Sequence, residues 1–438
     1  MTELYRLGLR DAALRMRSGK LTSVQYTRDL MARIDALEKD VRAWQWLDRG
    51  RALELAAKAD KADSAMRVAH PLHGVPIGVK DLFYTAGIPT EMGARAYAGF
   101  VPDINADVVV RLESAGGIMF GKTVTTETAF MVPSKTRNPW NIKHTPGGSS
   151  SGSAAAVAAG FVAGALGTQT NGSVIRPAAF CGIVGYKPSA GQISARGALP
   201  FSTTLDQTGV FARSVADAAF LASSLTAHRT VITPDVRPLR NAPKLAAVRS
   251  PVWHLAEPDQ RMQFEADIGR MRDAGASVDV IEIAGIFDGA HKVHRTIMLF
   301  EAARLAKKAR EIWRGGFSDY LNAALDEGEA IRDADYRDAL KVRTQLQQSL
   351  AEFFDRGYSA IMTPPATGEA PATLENTGDP RFCSIWTLVG LPALTIPTGK
   401  GNTGMPLGLQ LVGAAEEENY LLATAAWCER YSPFTGLV

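Results

Sequence analysis

The densest chemical signal in the sequence is Gly147-Gly148-Ser149-Ser150-Ser151-Gly152-Ser153, which passes at once into the alanine-rich run 154–160. Serine supplies hydroxyls and glycine allows unusual backbone angles, while the alanines favour a helix that packs tightly behind the loop. Such a loop can present a hydroxyl at a helix start. A flexible linker does not run straight into an apolar helix, and the Gly-Lys-Ser/Thr ending of a nucleotide phosphate loop is missing. The second signal is Gly167-Thr168-Gln169-Thr170-Asn171-Gly172-Ser173, at the end of the apolar run 161–166. A turn of this make-up can point several successive backbone NH groups into one hollow, as required to hold a forming oxyanion, with Ser173 at its centre. The third is Lys80-Asp81, where the apolar run 74–79 ends abruptly.

These residues need a scaffold, and the surrounding pattern predicts an α/β one. The run 74–79 reads as a buried strand, and the carboxyl ends of strands in open α/β sheets are where ligands bind. Residues 118–122, 245–248, 278–282, 360–362, 393–396 and 407–412 read as further strands. Thr22, with Gln25 three residues on, opens a helix whose face carries Leu30, Ile34 and Leu37. Helical patterns follow at 51–62, 107–114, 259–273, 291–313, 334–354 and 417–430. The alternation of the two patterns is that of α/β architecture. Three stretches are expected within a single domain over 1–438: a helical segment to about 65, a core over 66–225, and an α/β part over 240–438. Residues 228–243, where Pro, Arg and Asn cluster, read as a boundary or a long surface loop.

Composition narrows the function. Of the 438 residues, 46% are hydrophobic and 21% charged, the balance of an ordinary soluble globular protein. The net charge is +3, from 48 basic and 45 acidic residues, so no sequence-wide basic field exists to hold nucleic acid or an anionic membrane. Neither partner is expected. Cys181, Cys383 and Cys428 are far apart, which suggests neither disulfides nor a zinc knuckle and fits a reducing cytoplasm. Cys181 reads as a small buried hydrophobe. No signal-peptide stretch opens the chain, and the uncharged run 145–175 holds few large apolar residues, so a site region is expected there and not a membrane span. His291 and His294 are three apart on a helix, but no cysteine or acidic pair completes a metal site, so they read as ordinary helix histidines.

The segments 71–81, 147–160 and 167–185, in that order and spacing, resemble the amidase signature family. The likeness continues through Arg137-Asn138-Pro139-Trp140, Leu205-Asp206-Gln207-Thr208-Gly209, Leu391-Pro392-Ala393 and Pro406-Leu407-Gly408-Leu409-Gln410. It implies a mixed twisted sheet covered by helices on both faces and a Ser-Ser-Lys triad. Its members fall here on Ser173 as nucleophile, Ser149 as bridging serine after a cis Gly148–Ser149 bond, and Lys80 as base. Serine needs an adjacent base, and lysine serves only when neutral, which desolvation beside Val79 and small residues promotes. A hydroxyl both donates and accepts, so Ser149 can relay the proton. The implied activity is ATP-independent hydrolysis of a small-molecule amide, with the NH groups of Thr170, Asn171, Gly172 and Ser173 as oxyanion hole. No metal or organic cofactor is required, and a homodimer is compatible with the resemblance.

Departures from the family pattern carry further expectations. The family commonly has two glycines before its nucleophile and Asp where Gln169 stands. Asparagine tolerates positive φ, so the turn survives with Asn171, whose side chain would crowd the hollow or add a donor. The order Ser173-Val174-Ile175-Arg176, with 377–381 and 386–388, looks most like the malonamidase branch, which cleaves small dicarboxylic monoamides. Arg176 would then grip a substrate carboxylate; equally, it would hold carbonyls in the turn at 177–179. Two alternatives stand beside a malonamate-like substrate. One is the catalytic, glutaminase subunit of a tRNA-dependent amidotransferase; the other is a hydrolase of aryl or alkyl amides or esters.

Overall fold

A computed structural model describes residues 3–226, 231–434 and 436–438. Among the described residues eleven strands form one sheet: β1 (Trp44–Trp46), β2 (Pro76–Lys80), β3 (Ile118–Thr123), β4 (Gly164–Gln169), β5 (Val184–Lys187), β6 (Gln207–Ala212), β7 (Lys244–Arg249), β8 (Ser277–Glu282), β9 (Ala360–Thr363), β10 (Ala393–Lys400) and β11 (Pro406–Val412). Their spatial order is β1-β3-β2-β4-β6-β5-β10-β11-β9-β7-β8. β2 runs parallel to both β3 and β4, and β7 runs parallel to β8 and β9. The remaining pairings are antiparallel, so the sheet is mixed and the fold is α/β. Every residue of β2 through β6 is buried. Successive side chains on a strand point to opposite faces, so both faces of this half are covered.

Local chemistry accounts for several elements. Thr22 and Gln25 form the capping box that opens the helix Ser23–Val41, each side chain bonding the other's backbone NH. The parallel pair β7 and β8 is joined by the helix Pro258–Asp273, because a parallel connection needs a crossover and a hairpin cannot supply one.

Other elements were not legible from periodicity. The opening segment is not wholly helical: β1 lies between two helices and pairs with β3, with the Trp44 ring edge-on to Phe120. β4 is composed of Gly164-Ala165-Leu166-Gly167-Thr168-Gln169, buried throughout, and so carries neither alternation nor β-branched enrichment. The helices Ile175–Phe180 and Arg381–Val389, both at the site, were also unforeseen. Of the expected boundary at 228–243, residues 228–230 lie outside the described residues, and 231–243 contain no helix or strand. Among the described residues no helix is long and apolar enough to cross a membrane.

The serine-rich loop enters the helix Ser151–Ala158, which is buried along its whole length. A Cβ on Gly152 would lie 2.3 Å from Val124 N and 2.4 Å from the Ala43 carbonyl oxygen. Glycine at this position therefore permits the helix to press against backbone at the end of β3. Elsewhere Gly→Ala inside a helix gains about 0.5–1 kcal/mol, but overpacking against rigid backbone costs about 1–3 kcal/mol. Gly152→Ala is therefore expected to be net destabilising, read as a lower denaturant midpoint; a raised midpoint would contradict this packing.

Candidate active site

Lys80 is the last residue of β2, flanked by two parallel neighbours and fully buried. Its Nζ lies 2.7 Å from Ser149 Oγ and 2.8 Å from Thr168 Oγ1, within hydrogen-bond reach of both hydroxyls. Neither partner is charged. Burial therefore drives the Lys80 pKa well below its usual 10.5, against a weaker opposing pull from the Asp206 carboxylate. The amine is neutral under conditions in which an exposed lysine is charged.

Four serines follow the turn at Gly147, whose φ is +81°. Ser149 alone among them bonds Lys80, and the Gly148–Ser149 peptide bond is cis. The other three tie the loop to its surroundings. Ser150 Oγ donates to the Thr168 carbonyl at 3.2 Å, Ser151 pairs with Ser134 at 2.7 Å, and Ser153 Oγ donates to the Leu166 carbonyl at 2.8 Å. The loop and β4 are thus fixed to one another on the side from which Lys80 approaches.

β4 then turns into the helix Ile175–Phe180. Gln169 Oε1 accepts from Val174 N at 2.7 Å and Ile175 N at 3.0 Å, meeting two NH groups at the helix start. Its Nε2 donates to Thr387 Oγ1 at 2.9 Å, and Thr387 donates in turn to the Asn171 carbonyl at 2.6 Å. Asn171 needs no positive φ, contrary to expectation. Its side-chain oxygen is drawn aside by the Ser384 hydroxyl at 2.5 Å, because the unforeseen helix Arg381–Val389 supplies a donor there. Gly172 serves close approach: a Cβ would lie 3.1–3.2 Å from Pro380 and Cys383 of the same region. The hydrogen bonds that hold this turn run through side chains and carbonyls, and among the described residues none uses a backbone NH of residues 170–173.

Ser173 lines a cavity of about 580 Å³ together with Thr170, Asn171, Gly172 and Arg176. Arg176 is almost wholly buried, and burial lowers its pKa to about 10. Its Nη1 donates to the Gly378 carbonyl, and its Nη2 to the Gly148 carbonyl at 2.7 Å and to Thr377 Oγ1 at 3.2 Å. The guanidinium thus braces the serine loop against the segment 377–378, with Nε left unpartnered among the described residues. The carbonyls it holds belong to residues other than the 177–179 turn.

One wall of the cavity is aromatic. Phe130 and Phe201 stack at 5.3 Å between ring centroids, and Tyr320 adds a third ring 5.6 Å from Phe130. Arg295 and Arg381 also line it, each engaged by a carboxylate, Glu327 and Asp379 respectively. His294 Nε2 donates to the Thr170 carbonyl at 2.9 Å, and burial takes its pKa down to about 4. It is neutral and holds the turn.

Beyond the turn-holding His294, Ser384 and Thr387, sequence reasoning missed three contributors. Thr168 is the second partner of Lys80. Asp206 accepts from Thr170 Oγ1 at 2.6 Å and from the NH groups of Phe201 and Ser202 at 2.8 and 3.0 Å, and burial lifts its pKa to about 6. The third contributor is the aromatic wall. The motif 205–209 contained Asp206, and β4 contained Thr168, but neither carried a signal for its partner. Cys181 is buried, with its thiol pushed far up by desolvation.

A sequence model of the family described as Amidase matches residues 25–422. A glutamyl-tRNA(Gln) amidotransferase subunit from Anaeromyxobacter dehalogenans (strain 2CP-C) is 35% identical, over 98% of this chain and 96% of that protein. The protein of the same name from Chloroflexus aggregans (strain MD-66 / DSM 9485) is 32% identical over 96% of each. Among solved structures, one described as the crystal structure of amidase superposes with a TM-score of 0.87 at 32% identity, covering 97% of this chain and 99% of that one. The native peptide amidase from Stenotrophomonas maltophilia gives 0.82 at 28% identity, over 99% and 98%. None of these likenesses singles out the malonamidase branch. The expectation that nucleic acid plays no part is not supported, because the relatives' name includes a transfer RNA; net charge describes a surface average and not one patch. With the motifs, the sheet and the match over 25–422 in agreement, the chain belongs to the amidase family and is an amide-hydrolysing enzyme.

Proposed function

We propose that this enzyme hydrolyses its amide through an acyl-enzyme on Ser173, without ATP. The observation that carries the reading is the 2.7 Å contact between Ser149 Oγ and a fully buried lysine amine, beside a cavity that Ser173 lines. A neutral Lys80 has a lone pair and can take the Ser149 proton while Thr168 keeps the amine oriented. Ser149 takes the proton of Ser173 as its Oγ bonds the carbonyl carbon. The backbone NH groups of Thr170 to Ser173 hold the oxyanion. The proton on Lys80 returns through Ser149 to the nitrogen as the C–N bond breaks, and water then cleaves the ester in a second cycle.

Two settings fit this chemistry. The catalytic subunit of a tRNA-dependent amidotransferase is supported by the relatives of that name, which match along nearly the whole chain. In that setting ammonia from glutamine passes to a partner, and RNA contacts can reside on the partner's surface. A free-standing hydrolase is supported by the likeness to the amidase and peptide amidase structures. A malonamate substrate has no such support, since both Nη groups of Arg176 are already bonded to this chain's own oxygens.

Ammonia release by the purified chain from glutamine, asparagine, malonamate, malonamide and aryl amides, beside a Ser173→Ala control, tests the reading. Release without a partner, abolished in the control, identifies a free-standing amidase. Release from glutamine only when a second subunit co-purifies identifies the amidotransferase setting. Release that survives in Ser173→Ala would overturn the assigned nucleophile. Thr168→Val is expected to lower kcat roughly three- to tenfold with KM little changed, since one hydrogen bond of about 0.5–1.5 kcal/mol is lost at the base. Unchanged kcat would show that Thr168 does not orient the base.

A further inference from the structure

Asp206 lies half-buried just ahead of β6, and its two carboxylate oxygens serve different parts of the site. Oδ1 accepts from Thr170 Oγ1 at 2.6 Å, while Oδ2 accepts from the NH groups of Phe201 and Ser202 at 2.8 and 3.0 Å. Thr170 opens the turn that leads to Ser173, and Phe201 belongs to the aromatic wall of the same cavity. One carboxylate therefore ties the turn to the wall. Thr170 is held a second time at its carbonyl by His294 of the helix Ala290–Trp313. Its side chain and carbonyl are both fixed, and among the described residues its NH enters no hydrogen bond.

The charges around Asp206 are few. Lys80 at the end of β2 feels its field. Glu301, also on the helix Ala290–Trp313, accepts from Ser202 Oγ, from Thr204 N at 3.0 Å and from Tyr336 of the helix Asp333–Phe354 at 2.6 Å, with Arg343 of that helix acting on it. Lys187 of β5 is bonded to Gln207 and to two carbonyls, and His294 is neutral. Among the described residues no cation forms an ion pair with Asp206. An unpaired carboxylate is costly to withdraw from water. Asparagine would be cheaper, but it accepts through one atom only and could not meet Thr170 and the two NH groups together. In the proton route proposed above, on which this inference rests, Lys80 becomes an ammonium as Ser173 attacks. We infer that Asp206 is a positioning residue for the hydrolysis: it fixes Thr170 so that the NH groups of the turn face the forming oxyanion, and its negative charge favours the ammonium that forms on Lys80. Both effects are larger in the transition state than before it, which is the condition for raising kcat.

The test measures kcat, KM and the pH profile of kcat/KM on the panel amide that turns over fastest, for wild type, Asp206→Asn, Thr170→Val and Thr170→Ser. Asp206→Asn is expected to lower kcat roughly tenfold or more. It is also expected to move the acid limb of the profile down by about half a pH unit or more, because an ammonium at Lys80 loses the charge that favours it. Thr170→Val keeps that charge and is expected to lower kcat roughly three- to tenfold, with KM and the acid limb close to wild type. Thr170→Ser restores the hydroxyl and should bring kcat to within about twofold of wild type. A carboxylate that only supports the fold would lower the denaturant midpoint of Asp206→Asn and leave the acid limb in place, and that result would overturn the assignment. So would an unchanged kcat in Thr170→Val, which decides the matter even where Asp206→Asn does not fold. Turnover that survives Ser173→Ala, or no turnover of any amide with or without a co-purifying partner, would instead defeat the underlying proton route and this inference with it.

Discussion

Placing the amine of Lys80 at the buried end of β2 removes it from water, and its hydrogen-bond partners are hydroxyls, not carboxylates. A charged ammonium there would bear a heavy desolvation cost, so the group sheds its proton instead. The rest of the site follows from this constraint. A neutral amine needs partners that donate and accept without charge, and Ser149 and Thr168 provide two hydroxyls. Those hydroxyls come from separate segments, the serine loop and β4, so the loop must be held against the strand. Ser150 and Ser153 do so through carbonyls of β4, and Gly152 lets the following helix approach backbone closely enough.

The turn that follows β4 is fixed by a different device. Among the described residues no hydrogen bond engages its NH groups at 170–173, because side chains provide the cohesion: Gln169 at the helix start, Thr387 and Ser384 on the helix Arg381–Val389, and the neutral His294 from beyond. An amide in place of the family's usual carboxylate at Gln169 keeps the acceptor for two NH groups. It adds a donor toward Thr387 and removes a negative charge four residues from Ser173. An anion forming above the turn would otherwise meet that charge at short range in a low-dielectric setting.

How much of this could be read from the sequence depended on whether a feature was local. The capping box at Thr22 and Gln25 involves residues three apart and was legible, as were β2 and β3, whose apolar runs have clear ends. β4 was not, since its small residues satisfy packing from both faces and leave no alternation. The serine run announced a site, but four hydroxyls in five residues gave no ground for preferring Ser149 until the resemblance supplied one. Thr170 and Asp206 are 36 residues apart, and Gln169 and Thr387 are 218 apart. Pairings at such separations are set by topology, which no window on the sequence contains. Arg176 shows the same limit. Its burial was foreseeable, but its partners at Gly148 and Gly378 could be identified only once the fold had brought the serine loop and the segment 377–378 beside the helix Ile175–Phe180.

The central claim is that a neutral Lys80 activates Ser173 through Ser149. The most direct measurement is the pH dependence of covalent labelling by a serine-reactive fluorophosphonate, with the attachment site located by peptide mass. Labelling requires the base in its neutral form, so its rate should rise as pH climbs through the Lys80 pKa. Because burial sets that pKa well below 10.5, the plateau should be reached below the ordinary lysine range. A single adduct on Ser173 with that profile, lost in Lys80→Ala, is the predicted result. An adduct on another serine, or a rate still climbing through the ordinary lysine range, would contradict it.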